Sequence, residues 1–348
     1  MKRREFLAST AVALPLAAFA RRSARAAEFT FKLHHFLPAQ SPAQRNMLEP
    51  WARRVEELSG GRVKIEIYPS MTLGGRPPEL VQQVRDGVVD LIWTVNGYTP
   101  GQFPRTEVFE LPFVYRNNPV ATNLAMHDML REWLSDDYRG MEVMFLHVHA
   151  GQAIHMREKP VRRPEDLRGL RMRIPTRTGA WVLEALGAAP VAMPVPDVPQ
   201  ALQKGVIDGM LLPFEIIPSL RLQQLVKYLI ELENGTRLGT TTFQVTMNKA
   251  RWDSLPPDIQ KAFRDASTAE WWAEVGRRWW AEEKVGVDVA LKAGVQHIGL
   301  GAEETAAFET ALEPVVERWI AEVEGQGLPG RELVKTAREL IAKYSDRT

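Results

Sequence analysis

The sequence predicts a two-lobed α/β protein, on the evidence of element order, length and composition. Segments with the two-residue period of half-buried strands recur along the chain, separated by segments with helical spacing. Strands that alternate with helices predict βαβ units and largely parallel sheets. At about 150 residues per domain, the 348 residues suggest two domains. We therefore expect two sheets, each covered by helices, and the 45% hydrophobic and 25% charged residues exclude a disordered chain.

The predicted strands and helices of the first 250 residues follow this alternation. In residues 29–36 (FTFKLHHF), apolar and polar side chains alternate, which predicts a half-buried strand. Residues 89–94 are mostly apolar, and this indicates a strand buried on both faces. The other predicted strands are 63–68, 142–149, 170–174, 192–195, 206–212 and 241–247. The predicted helices are 42–58, 78–87, 180–186 and 198–205.

The last third of the sequence is predicted to be helical. Residues 257–293 contain no proline after the first residue, and this run is longer than most globular helices. We expect the helix to lie across both lobes; a stacking platform for nucleic-acid bases is the alternative. Residues 303–344 predict two amphipathic helices with a break at 325–330. Two tryptophan pairs in the long helix are expected on one face: Trp271, Trp272, Trp279 and Trp280.

Charge and cysteine content exclude several classes of protein. The sequence has 44 Lys and Arg against 43 Asp and Glu, and without residues 1–26 the balance is 38 against 42. A mildly acidic chain is a poor candidate for binding the phosphates of nucleic acids. Cysteine is absent, which excludes disulfides, thiolate metal sites and cysteine nucleophiles.

Residues 1–26 have the pattern of an export signal. Basic residues precede an apolar stretch at 8–20, and Ala24-Arg25-Ala26 supplies the small-x-small pattern of a cleavage site. Arg3 and Arg4 before a Phe-Leu pair are typical of a twin-arginine signal. The apolar stretch is too short for a bilayer core that needs about 20 residues. We therefore expect export, cleavage after Ala26 and a soluble mature protein in the periplasm.

Seven further segments occur in a characteristic order and spacing. They are 61–69 (GRVKIEIYP), 73–75 (LGG), 84–90 (VRDGVVD), 167–175 (LRGLRMRIP), 186–190 (LGAAP), 201–209 (ALQKGVIDG) and 248–257 (NKARWDSLPP). No single segment is specific, but the ordered set extends over almost the whole chain after residue 26. In this respect the sequence resembles the periplasmic solute-binding proteins of TRAP transporters, the C4-dicarboxylate-binding (DctP) family.

The resemblance implies a fold, a function and partners. The implied fold is a two-lobed periplasmic binding protein (type II-like), whose lobes are joined by crossing strands and a long helix. Lobe I would contain residues 27–150 plus 239–278, and lobe II residues 151–238 plus 279–348. The implied function is a receptor, without enzymatic activity or cofactor. It would close over a small organic carboxylate and deliver it to the small and large membrane subunits of an ion-coupled permease.

Arg173 is the predicted anchor for the ligand carboxylate. A carboxylate that leaves water needs new hydrogen-bond donors, and the planar fork of arginine meets both of its oxygens. Arg173 matches the arginine that pairs with the ligand in the family. It also ends an alternating strand just before Pro175, at the kind of strand end where open α/β sheets bind ligands. Arg171 on the same strand is the rival, whereas Arg168 and Arg177 are expected to be surface charges.

Two departures from the family pattern bear on the ligand. Many members have a second arginine shortly after the glycine that follows the first crossing strand; the glycine matches Gly151, and the arginine position falls on Ala153. Many have Asn before the proline that matches Pro213, where this chain has Leu212. Because unpaired polar groups are costly to bury, we expect an aromatic or 2-oxo monocarboxylate rather than a dicarboxylate or a sialic-acid-like sugar acid.

The rest of the predicted site consists of aromatic and polar residues near strand ends. Such residues form small-ligand pockets, although each aromatic side chain here is an alternative candidate for the core. Glu215 is expected to accept a ligand hydroxyl, to pair with an arginine or to start a surface helix. The predicted ligand-binding residues besides Arg173 are Trp93, Asn96, Tyr98, His35, His149, Gln152, Phe214, Glu215 and Phe243.

Other functions remain open from the sequence alone. A metal site of two histidines and Glu215 is an alternative, but no familiar ligand spacing is present, so no metal is expected. A receptor of an ATP-driven transporter or of a sensor kinase is a second alternative. The third is a periplasmic enzyme with Glu215 as base and His149 or His35 as acid, although no Gly-x-Ser-x-Gly motif supports it.

Overall fold

The structure is a computed structural model that describes residues 27–346, so the predicted export signal lies outside the described residues. The strands are β1 Phe29–His34, β2 Val63–Tyr68, β3 Leu91–Val95, β4 Met141–Val148, β5 Ala153–Met156, β6 Arg171–Ile174, β7 Ala189–Ala192, β8 Gly209–Leu212, β9 Tyr228–Glu231, β10 Thr242–Asn248 and β11 Gln296–Gly299. The α-helices are α1 Glu49–Leu58, α2 Leu80–Arg85, α3 Pro119–Met129, α4 Arg177–Ala185, α5 Val198–Gln203, α6 Ile217–Leu220, α7 Lys249–Asp253, α8 Pro257–Ala266, α9 Ala269–Lys292, α10 Ala302–Glu324 and α11 Gly330–Ser345. No helix within the described range has the length and apolar character needed to span a membrane.

The first sheet is mixed, with the strand order β2-β1-β3-β10-β4. β1 pairs in parallel with β2 and β3. β10 lies between β3 and β4 and is antiparallel to both. The expectation of a largely parallel sheet is therefore wrong here, because a strand from a distant part of the chain enters the sheet in the opposite direction. All seven residues of β10 are buried.

The second sheet has the order β11-β9-β5-β8-β6-β7 and is also mixed. β6 is parallel to β7 and β8, whereas β5 is antiparallel to β8 and β9. Sequence analysis missed β5, β9 and β11, each of which has four residues. The strand predicted at 192–195 is displaced to Ala189–Ala192, where it pairs with β6.

The chain crosses between the sheets at two neighbouring segments. The main-chain N–H of Gln152 donates to the Gly239 carbonyl at 2.8 Å, and the Leu238 N–H donates to the Gln152 carbonyl at 3.0 Å. Gly151 has a φ of +104°, and a Cβ there would lie 2.5 Å from the Arg237 side chain. The glycine therefore permits the close approach of the two crossing segments.

Helices at the C-terminal end connect both sheets. The helix predicted at 257–293 is divided into α8 and α9, since Thr268 has an extended conformation. α9 packs against α3 beside the first sheet and reaches α6 and β11 beside the second, as expected for a crossing helix. Lobe II was predicted to include all of residues 279–348, but α11 in this range packs against α3 of the first lobe.

The four tryptophans of α9 do not share one environment. Trp271, Trp272 and Trp279 are buried, whereas Trp280 is 45% exposed. The expectation that all four lie on one face of the helix is therefore wrong for Trp280. Neighbouring helical residues are separated by about 100° around the axis, so Trp280 turns away from the contact that buries Trp279.

Candidate ligand-binding site

A cavity is lined by residues of both sheets and of the crossing segments. The space not occupied by atoms, together with the solvent at its mouth, is about 370 Å³. Seven of the ten predicted site residues line it: Trp93, Tyr98, His149, Gln152, Arg173, Glu215 and Phe243. The remaining lining residues are mostly apolar: Phe36, Leu37, Val95, Pro175, Val195, Leu212, Pro213, Ile216, Thr241 and Trp279.

Arg173 supplies the positive charge of the cavity wall. The side chain is 1% exposed; its Nε donates to the Met193 carbonyl at 3.0 Å and its Nη1 to the Leu211 carbonyl at 3.4 Å. These two bonds hold the guanidinium in place without neutralising it. Burial lowers the pKa of Arg173, and nearby Tyr98 opposes that effect. Among residues 27–346, no carboxylate forms an ion pair with Arg173, and Asp197 acts on this buried cation only from a greater distance.

Tyr98 brings the first sheet into contact with the second. It lies in the short turn Asn96–Tyr98 after β3, and its hydroxyl accepts the main-chain N–H of Val195 at 2.9 Å. The same hydroxyl interacts with Arg173. Burial raises the pKa of Tyr98, so the phenol remains protonated and can act as a hydrogen-bond donor in the wall.

Flat aromatic rings form the apolar side of the cavity. The Trp93 and Phe243 rings are stacked with 5.3 Å between centroids and an interplanar angle of 1°. The Phe36 ring also stacks with Trp93, with 4.9 Å between the ring centroids and an interplanar angle of 17°. The Trp93 indole N–H donates to Nε2 of His147 at 2.9 Å, so its only polar group is satisfied within the protein. This wall therefore offers apolar surface to a planar ligand body.

His149 is a neutral donor at the cavity. Its Nδ1 accepts the Gly151 N–H at 2.9 Å. Burial, together with the nearby positive groups and His147, lowers the pKa of His149 well below its usual value. A neutral imidazole whose Nδ1 accepts must carry its proton on Nε2. The ring can therefore donate one hydrogen bond and contributes no charge.

Gln152 and Glu215 each present an oxygen without a protein partner among the described residues. The Gln152 side-chain amide donates to Thr241 Oγ1 at 2.7 Å, which leaves its Oε1 unpaired. Glu215 is 4% exposed. Burial, with a further contribution from Glu283 and Glu282, raises the pKa of Glu215 well above its usual value. The raised pKa favours the protonated, neutral form of the Glu215 carboxyl.

The two apolar departures from the family pattern face each other. Ala153 on β5 and Leu212 on β8 are direct cross-strand partners. Both are buried, and Leu212 lines the cavity. The wall in this region therefore offers no side-chain donor for a second carboxylate.

A family model described as "bacterial extracellular solute-binding protein, family 7" (DctP) matches residues 33–322. The chain belongs to this family. The predicted resemblance and the predicted two-lobed α/β fold are thus confirmed.

Solved structures with the same fold include two that match nearly the whole chain. A TRAP solute-binding protein from a marine metagenome, specific for aromatic acid ligands and in complex with metahydroxyphenylacetate, is 41% identical, with a TM-score of 0.88 and coverage of 91% of this chain and 99% of that one. A TRAP solute-binding protein from Rhodoferax ferrireducens, in complex with copurified benzoate, is 40% identical, with a TM-score of 0.88 and coverage of 91% and 98%. The C4-dicarboxylate-binding periplasmic protein DctP of Rhodobacter capsulatus is 27% identical over 84% of this chain and 86% of that protein.

Three predicted residues of this solute-binding protein lie outside the cavity lining. Asn96 uses its amide for hydrogen bonds to Tyr138, Thr242 and Gln244, and thereby joins the end of β3 to β10. His35 bonds Gln44 through Nε2 and accepts the Leu37 N–H through Nδ1, so it has no free ring nitrogen. Both are buried and support the wall from behind.

The third, Phe214, packs on the far side of its strand end. Its ring lies 4.3 Å below the Arg237 guanidinium and contacts His155 and His297. Phe214 and Glu215 are consecutive and turn in opposite directions, so only Glu215 reaches the cavity. The expectation of Phe214 as a wall residue is not supported by this arrangement.

Phe36 and Trp279 line the cavity and were missed by sequence analysis. Phe36 follows β1, which pairs with β3, and this places it beside Trp93. A usable signal existed for Trp279, since it lies on α9 eight residues after Trp271 and shares its buried face. Within residues 27–346, no group of three or more His, Cys, Asp or Glu residues has an arrangement that could hold a metal ion.

Arg177 is not the surface charge that was expected. It forms an ion pair with Glu107 at 2.6 Å, and its Nε donates to both carboxylate oxygens at 2.8 and 2.9 Å. Its neighbour Thr178 donates to Glu110 at 2.6 Å. Glu107 and Glu110 belong to the 3-10 helix Thr106–Glu110, which contacts β10 of the first sheet, whereas α4 lies beside the second. These contacts hold the lobes together beside the cavity.

Proposed function

We propose that this protein is a periplasmic receptor that captures an aromatic monocarboxylate and delivers it to a TRAP-type membrane permease. The observation that carries the proposal is the buried guanidinium of Arg173, which has no ion-pairing carboxylate among the described residues, in a largely apolar cavity with several aromatic side chains in its walls. A buried charge is costly unless it is paired. A ligand carboxylate on Arg173 provides that pairing.

The charge of the cavity supports one ligand carboxylate rather than two. Arg173 is its cation, while burial lowers the pKa of His149 and raises the pKa of Glu215, and both shifts favour the neutral forms. A monocarboxylate neutralises this site, whereas a second carboxylate would bring a negative charge to Ala153 and Leu212, which have no polar side-chain group. An uncompensated buried charge costs several kcal/mol, so the wall disfavours succinate, malate, fumarate and sialic acid.

The stacked rings support an aromatic ligand body. A benzene ring that enters beside Trp93, Phe243 and Phe36 exchanges water for flat apolar surface. Apolar burial contributes about 25 cal/mol per Å². The two structural relatives at 40% and 41% identity are complexes with benzoate and metahydroxyphenylacetate, both aromatic monocarboxylates. The dicarboxylate-binding relative is more distant, at 27% identity.

The state of Glu215 and His149 favours a receptor over the enzyme considered from the sequence. A general base must be able to take up a proton, whereas burial raises the pKa of the Glu215 carboxyl and thereby favours its protonated form. His149 is held neutral, and its Nδ1 accepts a main-chain N–H. Export, docking on small and large permease subunits, and the twin-arginine route remain proposals based on family membership and on residues 1–26.

The proposal is tested by identifying what the protein binds. Purified protein is denatured, the released small molecules are analysed by mass spectrometry, and ligand-stripped protein is screened by thermal shift. We expect benzoates and phenylacetates to give larger shifts than 2-oxo acids, C4-dicarboxylates or sialic acid. The same screen with Arg173→Ala serves as control and should show little shift. A largest shift with a C4-dicarboxylate would contradict the ligand class while leaving the receptor in place; no shift with any acid would contradict the receptor.

A further inference from the structure

Glu215 places a carboxyl group in a buried wall of the cavity, where an apolar side chain would be expected. It follows β8 and precedes α6, and its side chain lines the cavity with 4% of its surface exposed. Its Oε2 has no hydrogen-bond partner among the residues that the structure describes. An unsatisfied buried polar group costs about 1–3 kcal/mol. An apolar residue at this position would avoid that cost. We therefore expect the carboxyl group to form a hydrogen bond with a ligand in the cavity.

The long helix α9 holds the main chain on which Glu215 lies. The N–H groups of Phe214 and Glu215 both donate to Oε1 of Glu283, at 2.8 and 3.0 Å. Gly286, on the same helix, lets the two backbones approach so closely that a Cβ there would lie 1.9 Å from the Phe214 carbonyl oxygen. Glu283 is itself an ion-pair partner of Arg237 at 3.2 Å. The contacts with α9 therefore fix the main chain from which the Glu215 side chain extends into the cavity.

The chemistry of this group selects a ligand hydroxyl. A neutral carboxylic acid has one O–H donor and carbonyl acceptor capacity, and a phenolic hydroxyl is likewise both donor and acceptor. A second ligand carboxylate would be repelled by the nearby Glu283 and Glu282. A ligand ammonium would add a second positive charge to a cavity that already contains Arg173. A neutral hydroxyl satisfies Oε2 without introducing charge.

We propose that Glu215 is a specificity residue that binds a ring hydroxyl of the aromatic acid, so that the receptor prefers hydroxylated over unsubstituted aromatic monocarboxylates. This inference rests on the proposed function, because it places the ligand carboxylate on Arg173. The inference adds a second polar contact, between Glu215 and the ligand. It also names the ring hydroxyl as the substituent by which the cavity discriminates between aromatic acids.

Gln152 is the rival for the same hydroxyl. Its Oε1 is also buried and without a partner among the described residues. Its amide donates to Thr241, and its main chain is bonded to Leu238 and Gly239 in the crossing segments. The Gln152 oxygen can only accept a hydrogen bond, whereas the Glu215 acid can donate and accept. The two residues are distinguished by testing variants of each.

The test compares ligands that differ by one hydroxyl. Dissociation constants are measured by calorimetry for benzoate, 3-hydroxybenzoate and 4-hydroxybenzoate, and for the corresponding phenylacetates. In the unaltered protein we expect at least one hydroxylated acid to bind about tenfold more tightly than its parent, which corresponds to about 1.4 kcal/mol. In Glu215→Leu this preference should fall below about twofold, while the parent acid still binds. Glu215→Gln, which keeps a neutral donor and acceptor, should retain part of the preference.

Control variants separate this role from structural damage. Glu282→Gln removes a neighbouring carboxylate that bonds Asn46 at 2.6 Å and does not line the cavity, and it should keep the full preference. If the preference disappears in Gln152→Leu and persists in Glu215→Leu, Glu215 is not the hydroxyl partner. Equal affinity of parent and hydroxylated acids in the unaltered protein overturns this inference while the proposed function stands. Absence of binding by all of these acids overturns both.

Discussion

Arg171 and Arg173 lie two residues apart on β6, but only Arg173 directs its guanidinium into the cavity. Arg171 is exposed and forms a bidentate contact with Asp208, with distances of 3.0 Å from Nε and 2.7 Å from Nη2. Arg173 is buried, donates to two carbonyl oxygens and interacts with the Tyr98 hydroxyl. Within residues 27–346, the strand therefore carries a paired surface arginine and an arginine without an ion-pairing carboxylate, and this contrast supplies a matched pair of variants.

Arg173→Ala should weaken binding of an aromatic acid by about 30-fold or more. Removing one member of a buried, hydrogen-bonded charge pair costs roughly 2–5 kcal/mol. Arg173→Lys should recover only part of the affinity, because an ammonium lacks the planar fork. Calorimetry with benzoate measures both effects. Arg171→Ala is the control and should bind within about twofold of the unaltered protein. An Arg173→Ala affinity within about threefold would show that the carboxylate lies elsewhere.

Arg177→Ala should favour an open arrangement of the two lobes. The substitution removes three hydrogen bonds to Glu107 and leaves that buried carboxylate with the Trp319 indole N–H. If the ligand binds the cavity walls of both lobes, as proposed, a free-energy cost of closing the lobes lowers the affinity, and we expect about a tenfold loss, or about 1.4 kcal/mol. Solution scattering should show a larger radius of gyration without ligand than with it, and this difference should increase in the variant.

The exposed pair of Arg318 and Glu184 is the control for Arg177. These side chains are 2.6 Å apart and about half exposed, and exposed pairs contribute about 0–1 kcal/mol. Arg318→Ala should leave ligand affinity and radius of gyration unchanged. The same radius for Arg177→Ala and the unaltered protein, both without ligand, would exclude a role of the Arg177–Glu107 pair in closure.

Glu215→Gln should stabilise the ligand-free protein more at pH 8 than at pH 5. Burial, Glu283 and Glu282 raise the pKa of the Glu215 carboxyl in the folded state, so the unfolded chain ionises at a lower pH. The stability contributed by the raised pKa is complete below the unfolded pKa of about 4.5 and is lost as the pH rises through the folded pKa. Glutamine stays neutral in both states and does not suffer this loss.

Urea unfolding at several pH values measures the difference between Glu215→Gln and the unaltered protein. The gain should grow by up to about 1.4 kcal/mol per pH unit within the window in which only the folded carboxyl is protonated. A difference that is independent of pH from 5 to 8 would mean that Glu215 ionises normally in the folded protein.

Gly286→Ala should destabilise the fold and weaken ligand binding together. The added Cβ would lie 1.9 Å from the Phe214 carbonyl oxygen and 2.4 Å from its carbon, so one of the two backbones must move. Overpacking of this kind typically costs about 1–3 kcal/mol. Gly299→Ala is the control, since nothing lies within 4 Å of its added Cβ. Unfolding free energies that match for the two variants would contradict the close contact between α9 and the Phe214–Glu215 main chain.

Sequence analysis predicted the family, the two-lobed class and Arg173 at a strand end, because these depend on local information. An alternating strand that stops at Pro175 places Arg173 at the strand end whatever the rest of the chain does. Trp93, Tyr98 and Phe243 were identified in the same way, from apolar or aromatic residues at the ends of predicted strands. The order of short segments along the chain supplied the family, although none of them is specific by itself.

The tertiary structure decided which side of each strand end faces the cavity and which distant residues complete its lining. Phe214 and Glu215 have adjacent positions, but only Glu215 lines the cavity, where Glu283 of α9 accepts the main-chain N–H groups of both residues. Arg177 pairs with Glu107, which is seventy residues away in the sequence, and β10 lies between β3 and β4 in the first sheet. Such contacts join elements that are far apart in sequence. Local periodicity records only how a segment alternates, and it carries no information about the neighbour that the segment meets after folding.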